Sequence, residues 1–276
     1  MKKKWLGALV AMMLMVGFAA CQDEEVPPYL VIEDVDNDVV GIHGKAVVGV
    51  TNPAEVPAHV KIPNGVAGIA YVFKDCTSIE SVEIPKSVKK IGYGTFADCK
   101  NIAVVTYKGS FKEWCAVNWD TYLIRYAKRI MLSDGTDLKK LTDIAANDLT
   151  GVTKIGVSAF FGCTSIESVT IPNGVEKIGQ SAFANCTSLA SVGIPSGVKE
   201  IGEAAFSGCT SLASVSIPAS VTEISKGGVF QDCTSLKEVT FDCSQERVLN
   251  QWKPLYSKLS LKRGIVLHCT DGDLNW

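Results

Sequence analysis

Apolar positions along this chain follow two interleaved periods. In "SVTIP", Val169 and Ile171 alternate with Ser168 and Thr170, the two-residue period of a strand with one buried face. Pro172 ends it, because proline cannot extend a ladder. The same apolar pairs recur as Val82/Ile84, Val192/Ile194 and Val215/Ile217. "VEKIG" predicts a second short extended piece, and "QSAFANCTSL" spaces Ala182, Phe183, Cys186 and Leu189 as a short helical turn facing inward. The full unit, V-x-x-I-G-x-x-A-F-x-x-C-T-S-L-x-S-V-x-I-P, begins at Val66, Val88, Val152, Val175, Val198 and Val221, at a spacing near 23 residues. A fixed period of this length predicts a solenoid, in which each repeat is one coil that buries its apolar face only by stacking on its neighbours. Coils then lie about 4.8 Å apart, as neighbouring strands do.

Two coils are irregular. Ile69 to Phe73 is one residue shorter than Ile155 to Phe160, and Ile224 to Phe230 is one longer, which predicts local bulges. Between Cys99 and Val152 the period breaks. That segment reads as a strand, an amphipathic helix around Phe111 to Trp119 and a hairpin turned at Asp134-Gly135, an enlarged coil and not a separate domain. The predicted organisation is therefore a leader over 1–20, an acidic linker and cap over 21–59, a solenoid over 60–241 with an irregular insert at about 101–150, and a closing cap over 242–276. The closing cap carries a helix around Glu246 to Trp252 and a strand at Gly264 to His268.

The period, "AFxxC" and "SVxIP" together resemble the BspA-like leucine-rich repeats of bacterial surface proteins, over residues 60–99 and 151–241. The resemblance implies a right-handed leucine-rich-repeat coil of short parallel strands and short helical or irregular turns. It also implies adhesion to proteins of a host or neighbouring cell.

Lys2, Lys3 and Lys4 precede an apolar run from Trp5 to Ala20, too short and wrongly flanked for a membrane span. The run closes on "GFAAC", which resembles a lipoprotein signal cut before a lipid-carrying Cys21, although Phe18 stands where leucine is commoner. "QDEE" follows, similar to an export tag for the outer face of the outer membrane; the alternative is a solvated linker. Without the three leader lysines the formal charge moves from −2 to −5, which argues against nucleic acid and anionic headgroups as partners.

Ten cysteines in an exported chain suggest disulfides. Yet Cys76, Cys99, Cys163, Cys186, Cys209 and Cys233 occupy equivalent places in their coils, where side chains point parallel and not at one another. They read as a buried thiol ladder, each packing as a small apolar group. Cys243 and Cys269 share the tail and are open to pairing, and Cys115 reads as packed. Zinc needs closely spaced ligands, and none occur; His43, His59 and His268 are isolated. "DVDND" at 34–38 lacks the glycine and closing glutamate of a calcium loop. Neither G-x-S-x-G, a P-loop nor H-E-x-x-H is present, so the chain reads as a non-enzyme without cofactor.

Outward strand positions are small and polar: Ser81/Glu83, Ser168/Thr170, Ser191/Gly193, Ser214/Ser216 and Glu238/Thr240. Interfaces concentrate their energy in Trp, Tyr and Arg. Those residues gather in the insert, as Trp114, Trp119, Tyr122, Arg125 and Tyr126, and in the tail, as Trp252, Tyr256 and Trp276. The insert is the expected partner-binding site, with the alternative that Trp114 and Trp119 form its own core. The expected function is a lipid-anchored, surface-displayed protein binding a macromolecular partner. The alternatives are glycan capture through the insert aromatics and a non-binding scaffold of the envelope.

Overall fold

The computed structural model describes residues 26–37, 42–251, 259–261 and 264–274. The leader, Cys21, the acidic run after it, Asp38, and Trp252, Tyr256 and Trp276 lie outside the described residues.

The chain is a β-solenoid. Strands one period apart pair in parallel and in register: Ser168 faces Ser191, and Val169 faces Val192. The row continues through Ser214–Ile217 to Glu238–Phe241. Upstream, His59–Lys61 and Ser81–Ile84 form the matching row, which the insert's own Val104–Tyr107 and Arg129–Met131 extend. A second, narrower row stacks the dipeptides Lys154–Ile155, Lys177–Ile178, Glu200–Ile201 and Glu223–Ile224. Inward positions are buried as the alternation requires: Val169, Ile171, Val215 and Ile217 all belong to one continuous apolar core.

At the amino end, β1 (Leu30–Asn37) pairs antiparallel with β2 (Ile42–Val50), and β2 pairs in parallel with Gly68–Ile69. At the other end the helix spans Gln245–Gln251, and Val266–Cys269 pairs with Glu238–Phe241 before folding back against Gly272–Leu274.

The stretch expected as a helical turn is built differently. Along "GQSAFANC", alternate N–H groups close turns within the coil, Ala182 onto Gly179 O, Ala184 onto Ser181 O and Cys186 onto Phe183 O. The intervening ones leave the coil, with Ser181 donating to Glu203 O at 2.9 Å, Phe183 to Ala205 O at 2.8 Å and Asn185 to Ser207 O at 2.7 Å. A helix would direct every N–H back along its own axis; stacking claims half of them for the next coil. The alternation requires left-handed backbone at two places per coil, φ 52° at Ser181 and φ 59° at Asn185. The second place directly precedes each ladder cysteine, and it carries Asp75, Asp98, Gly162, Asn185, Gly208 and Asp232, the residue types that tolerate that region.

The irregular coils depart at that turn. In the short one, Tyr71 takes φ 50° and its N–H donates to Thr95 Oγ1 instead of a main-chain carbonyl. In the long one, Gly227 and Gly228 take φ 115° and 66° in succession.

Close stacking explains the glycine that follows isoleucine at Gly156, Gly179 and Gly202. A Cβ on Gly179 would lie 2.7 Å from Gly156 C and 2.8 Å from Ile155 O, both main-chain atoms of the preceding coil. Gly179→Ala is therefore expected to destabilise by about 2 kcal/mol through overpacking, read as a lower urea midpoint with an unchanged slope.

The six repeat cysteines are buried, and none of them forms a disulfide. Their thiols also serve the stacking: Cys99 Sγ donates to Phe73 O at 2.9 Å, Cys186 to Phe160 O at 3.1 Å, Cys209 to Phe183 O and Cys233 to Phe206 O both at 3.2 Å. Each of these four thiols thus satisfies a carbonyl of the coil before it. Phenylalanines stack alongside, Phe160 on Phe183 at 5.2 Å and Phe183 on Phe206 at 5.5 Å. Cys243 and Cys269 are likewise unpaired, Cys269 being the partly exposed one. Burial pushes the Cys163 thiol up to about 11 and the Cys99 thiol up to about 12. At pH 8 the native protein should therefore react with a thiol reagent at Cys269, while the ladder labels only after denaturant is added, as peptide mapping of the labelled chain would show.

Candidate binding site at the interrupted coil

Where the repeat is broken, the chain makes two short helices. α1 (Phe111–Ala116) starts on a capping box: Glu113 N–H donates to Ser110 Oγ at 3.3 Å, and Ser110 N–H donates to Glu113 Oε2 at 2.8 Å. α2 (Thr121–Tyr126) is capped by Asp120, whose Oδ1 accepts from Tyr122 N–H at 3.2 Å. The single helix expected over 111–119 is thus shorter, and a second one follows it. Asn118 lies between them and holds the narrow row together, accepting from Ile91 N–H and donating its own N–H to Lys89 O. The Asp134-Gly135 turn forms as expected, Leu132 N–H donating to Thr136 O across it.

Trp114 and Trp119 are not available to a partner. Their exposures are 0% and 2%, and their rings stack at 3.8 Å with Tyr107 edge-on to both. The insert replaces a missing coil, and its apolar bulk must fill that coil's volume. Their N–H groups show the same substitution. Trp114 Nε1 donates to Ala159 O at 2.8 Å, and Trp119 main-chain N–H donates to Val157 O at 3.0 Å. In regular coils these carbonyl positions, as at Ala182 and Gln180, accept main-chain N–H groups of the preceding coil.

Two ionisable residues complete the repair. On the upstream side, Asp120 is fully buried, and its carboxyl accepts from Gly94 N–H at 3.1 Å and Phe96 N–H at 2.7 Å, donors that the next coil's carbonyls would otherwise have met. Burial holds its pKa above the ordinary value, opposed by these bonds. Downstream, Lys139 Nζ donates to Phe161 O at 2.9 Å and Gly162 O at 3.2 Å, and burial lowers its pKa.

Outside this repaired core, α2 presents a different face. Tyr122 and Arg125 line a cleft of about 190 Å³ together with Tyr93, Thr121, Phe161, Ser181, Ala184, Asn185, Ala204 and Ser207. Tyr93 is 65% exposed, its ring 5.6 Å from that of Tyr122 at an angle of 57°, with the two phenol oxygens 3.5 Å apart. The Arg125 guanidinium lies 5.7 Å over the Phe161 ring. Tyr126 lies beside Tyr122, its ring tilted by 40° at 6.2 Å, but does not line the cleft. Of the five insert residues expected at a site, the fold therefore brings Tyr122 and Arg125 to it, sets Tyr126 alongside and takes both tryptophans into the core. Tyr93 was missed. Its signal was an aromatic at the outward repeat position filled elsewhere by Val157, Gln180 and Glu203.

The strand face stays small and polar, with Ser214, Ser216, Glu238 and Thr240 exposed. Each isolated histidine has a local partner: His43 Nδ1 with Asp36, His59 Nδ1 with Ser81 Oγ, and His268 Nδ1 with Asp273. Among the described residues no helix is long and apolar enough to cross a membrane.

Coils whose short strands pair in parallel one period apart define a repeat β-solenoid. The chain belongs to the BspA type leucine rich repeat family, whose model matches six copies over residues 58–116 and 137–252. Similar solved structures include a Treponema pallidum leucine-rich-repeat protein, 23% identical over 79% of this chain and 71% of that one, with a TM-score of 0.30. A Bacteroides ovatus leucine-rich-repeat protein is 20% identical over the same shares, with a TM-score of 0.33. A leucine-rich cell surface protein of Faecalibacterium prausnitzii is 16% identical over 86% of this chain and 98% of that one, with a TM-score of 0.32. No curated protein matches the chain.

Proposed function

We propose that this protein is displayed on the bacterial surface, anchored through lipid on Cys21, and binds a macromolecule of a neighbouring or host cell through the face at the interrupted coil. The observation that carries this reading is the contrast between faces. Tyr93, Tyr122 and Arg125 gather around one cleft, whereas the strand face offers Ser, Thr and Glu. Residue types that concentrate binding energy are therefore exposed together at one place. The "GFAAC" end of the leader supports display. Binding, with no catalytic step, suits a repeat in which no reacting group recurs.

Two measurements test it. Protease added to intact cells should digest the protein while a periplasmic control survives. Beads carrying residues 22–276 should bind epithelial or neighbouring bacterial cells saturably, and the Tyr93→Ala/Arg125→Ala double variant should lose most of that binding at an unchanged melting temperature. Protection from protease sinks display, and binding that is absent or indifferent to the double variant leaves a structural scaffold as the better account.

A further inference from the structure

We infer that the cleft between α2 and the turns at Ser181–Asn185 and Ala204–Ser207 receives a hexuronate unit of a glycan; this rests on the binding reading above and names the group recognised. The first ground is charge. The cleft lining contains one full charge, the Arg125 guanidinium, and no Asp or Glu. The guanidinium carbon lies 5.7 Å over the Phe161 ring, and among the described residues no carboxylate forms an ion pair with it. A guanidinium matches a carboxylate with two parallel hydrogen bonds.

The second ground is the shape and chemistry of the walls. Tyr93 presents an open ring face set obliquely to Tyr122, a platform for the C–H face of a pyranose. Opposite, Ser181, Asn185 and Ser207 offer hydroxyl and amide groups of the kind that pair with sugar hydroxyls. They come from equivalent turns of successive coils, so the stacking itself sets their spacing. Beyond Tyr93, Tyr122, Phe161 and Arg125, the walls are hydroxyl, amide and methyl groups, the mixture that a polyhydroxylated ring with C–H faces would meet.

Size is the third ground. Clefts for drug-sized ligands run about 300–1,000 Å³, and this one holds about 190 Å³. A single six-membered ring with one carboxylate suits it. A sialate ring, which adds a glycerol tail and an N-acetyl group, does not.

The test titrates purified residues 22–276 with glucuronate, glucose and N-acetylneuraminate, following ligand saturation-transfer signals and protein amide shifts. Glucuronate should bind saturably in the millimolar range, at least about tenfold more tightly than glucose, a gap of about 1.4 kcal/mol. Arg125→Gln should remove that preference, and Tyr93→Ala should weaken both sugars about tenfold. Tyr71→Ala, at an exposed tyrosine outside the cleft, should change neither, and all three variants should keep the parental melting temperature. Absence of saturation with glucuronate at about 10 mM overturns the inference. So does equal binding of glucose, tighter binding of N-acetylneuraminate, or an Arg125→Gln variant that keeps the preference.

Cell adhesion separates this inference from the broader reading. Adhesion that excess glucuronate and removal of cell-surface uronate chains leave intact refutes the hexuronate and keeps the adhesive function. Glucuronate binding without any cell adhesion does the reverse.

Discussion

Asp120→Ala is expected to unfold in two steps in urea, where the parent chain unfolds in one. A solenoid's stability is close to a sum of coil terms and nearest-neighbour interfaces, so it separates where an interface is weakest. That place is the insert. The wide strand row is broken between Arg129–Met131 and Asp143–Ile144, and the narrow row crosses without a strand of its own, through Asn118 on one side and the Gly156 N–H to Cys115 O and Trp119 N–H to Val157 O bonds on the other. The Asp120 carboxyl ties this segment to the upstream coils by accepting from Gly94 and Phe96. Alanine leaves both N–H groups without an acceptor, at about 1–3 kcal/mol each when buried. A total near 3 kcal/mol should come out of the coupling between the halves. Asp120→Asn, with one acceptor oxygen left, should lose roughly half as much. Hydrogen exchange gives the site-resolved check: the Gly94 and Phe96 amides should lose protection in the alanine variant while those of Phe183 and Asn185 keep theirs. A single transition with all four amides still protected would refute the repair role.

Trp114→Ala should cost more, about 3–5 kcal/mol, because it empties the centre of the insert and leaves Ala159 O without its donor. Trp114→Phe separates these contributions. It keeps most of the ring contact with Trp119 and Tyr107 and removes only the indole N–H, so about 1–2 kcal/mol is expected. Urea midpoints of both variants check the order. An alanine variant as stable as the parent would mean that the tryptophan is not core, and would return it to the list of surface contacts.

The strands and the buried set were legible because their physics is local. Alternation at Val169/Ile171 depends on pleat geometry alone, and repetition transfers it to every coil. The turns were less legible. "AFANC" has helical spacing, yet half of its N–H groups belong to the next coil, a claim no window of a single repeat contains. Its trace was nevertheless present in the Asp, Asn or Gly before each ladder cysteine, which a left-handed backbone explains. Within the insert the sequence lacks a neighbour to copy. Trp114 and Trp119 look like contacts for a partner because exposed and buried aromatics have the same composition, and only stacking at 3.8 Å in a closed core distinguishes them.

By itself, the sequence determined the repeat, its period, the inward faces of its strands and the ladder positions of its cysteines, since each follows from spacing along one coil and recurs in the others. The tertiary structure decided how the interruption is repaired and where a cleft opens. Asp120, Trp114 and Lys139 find carbonyls and N–H groups that are distant in sequence, and Tyr93 meets Arg125 and Asn185 only after three separate coils have stacked. Such meetings depend on the register between coils, which is set by their packing against one another and written in no single repeat.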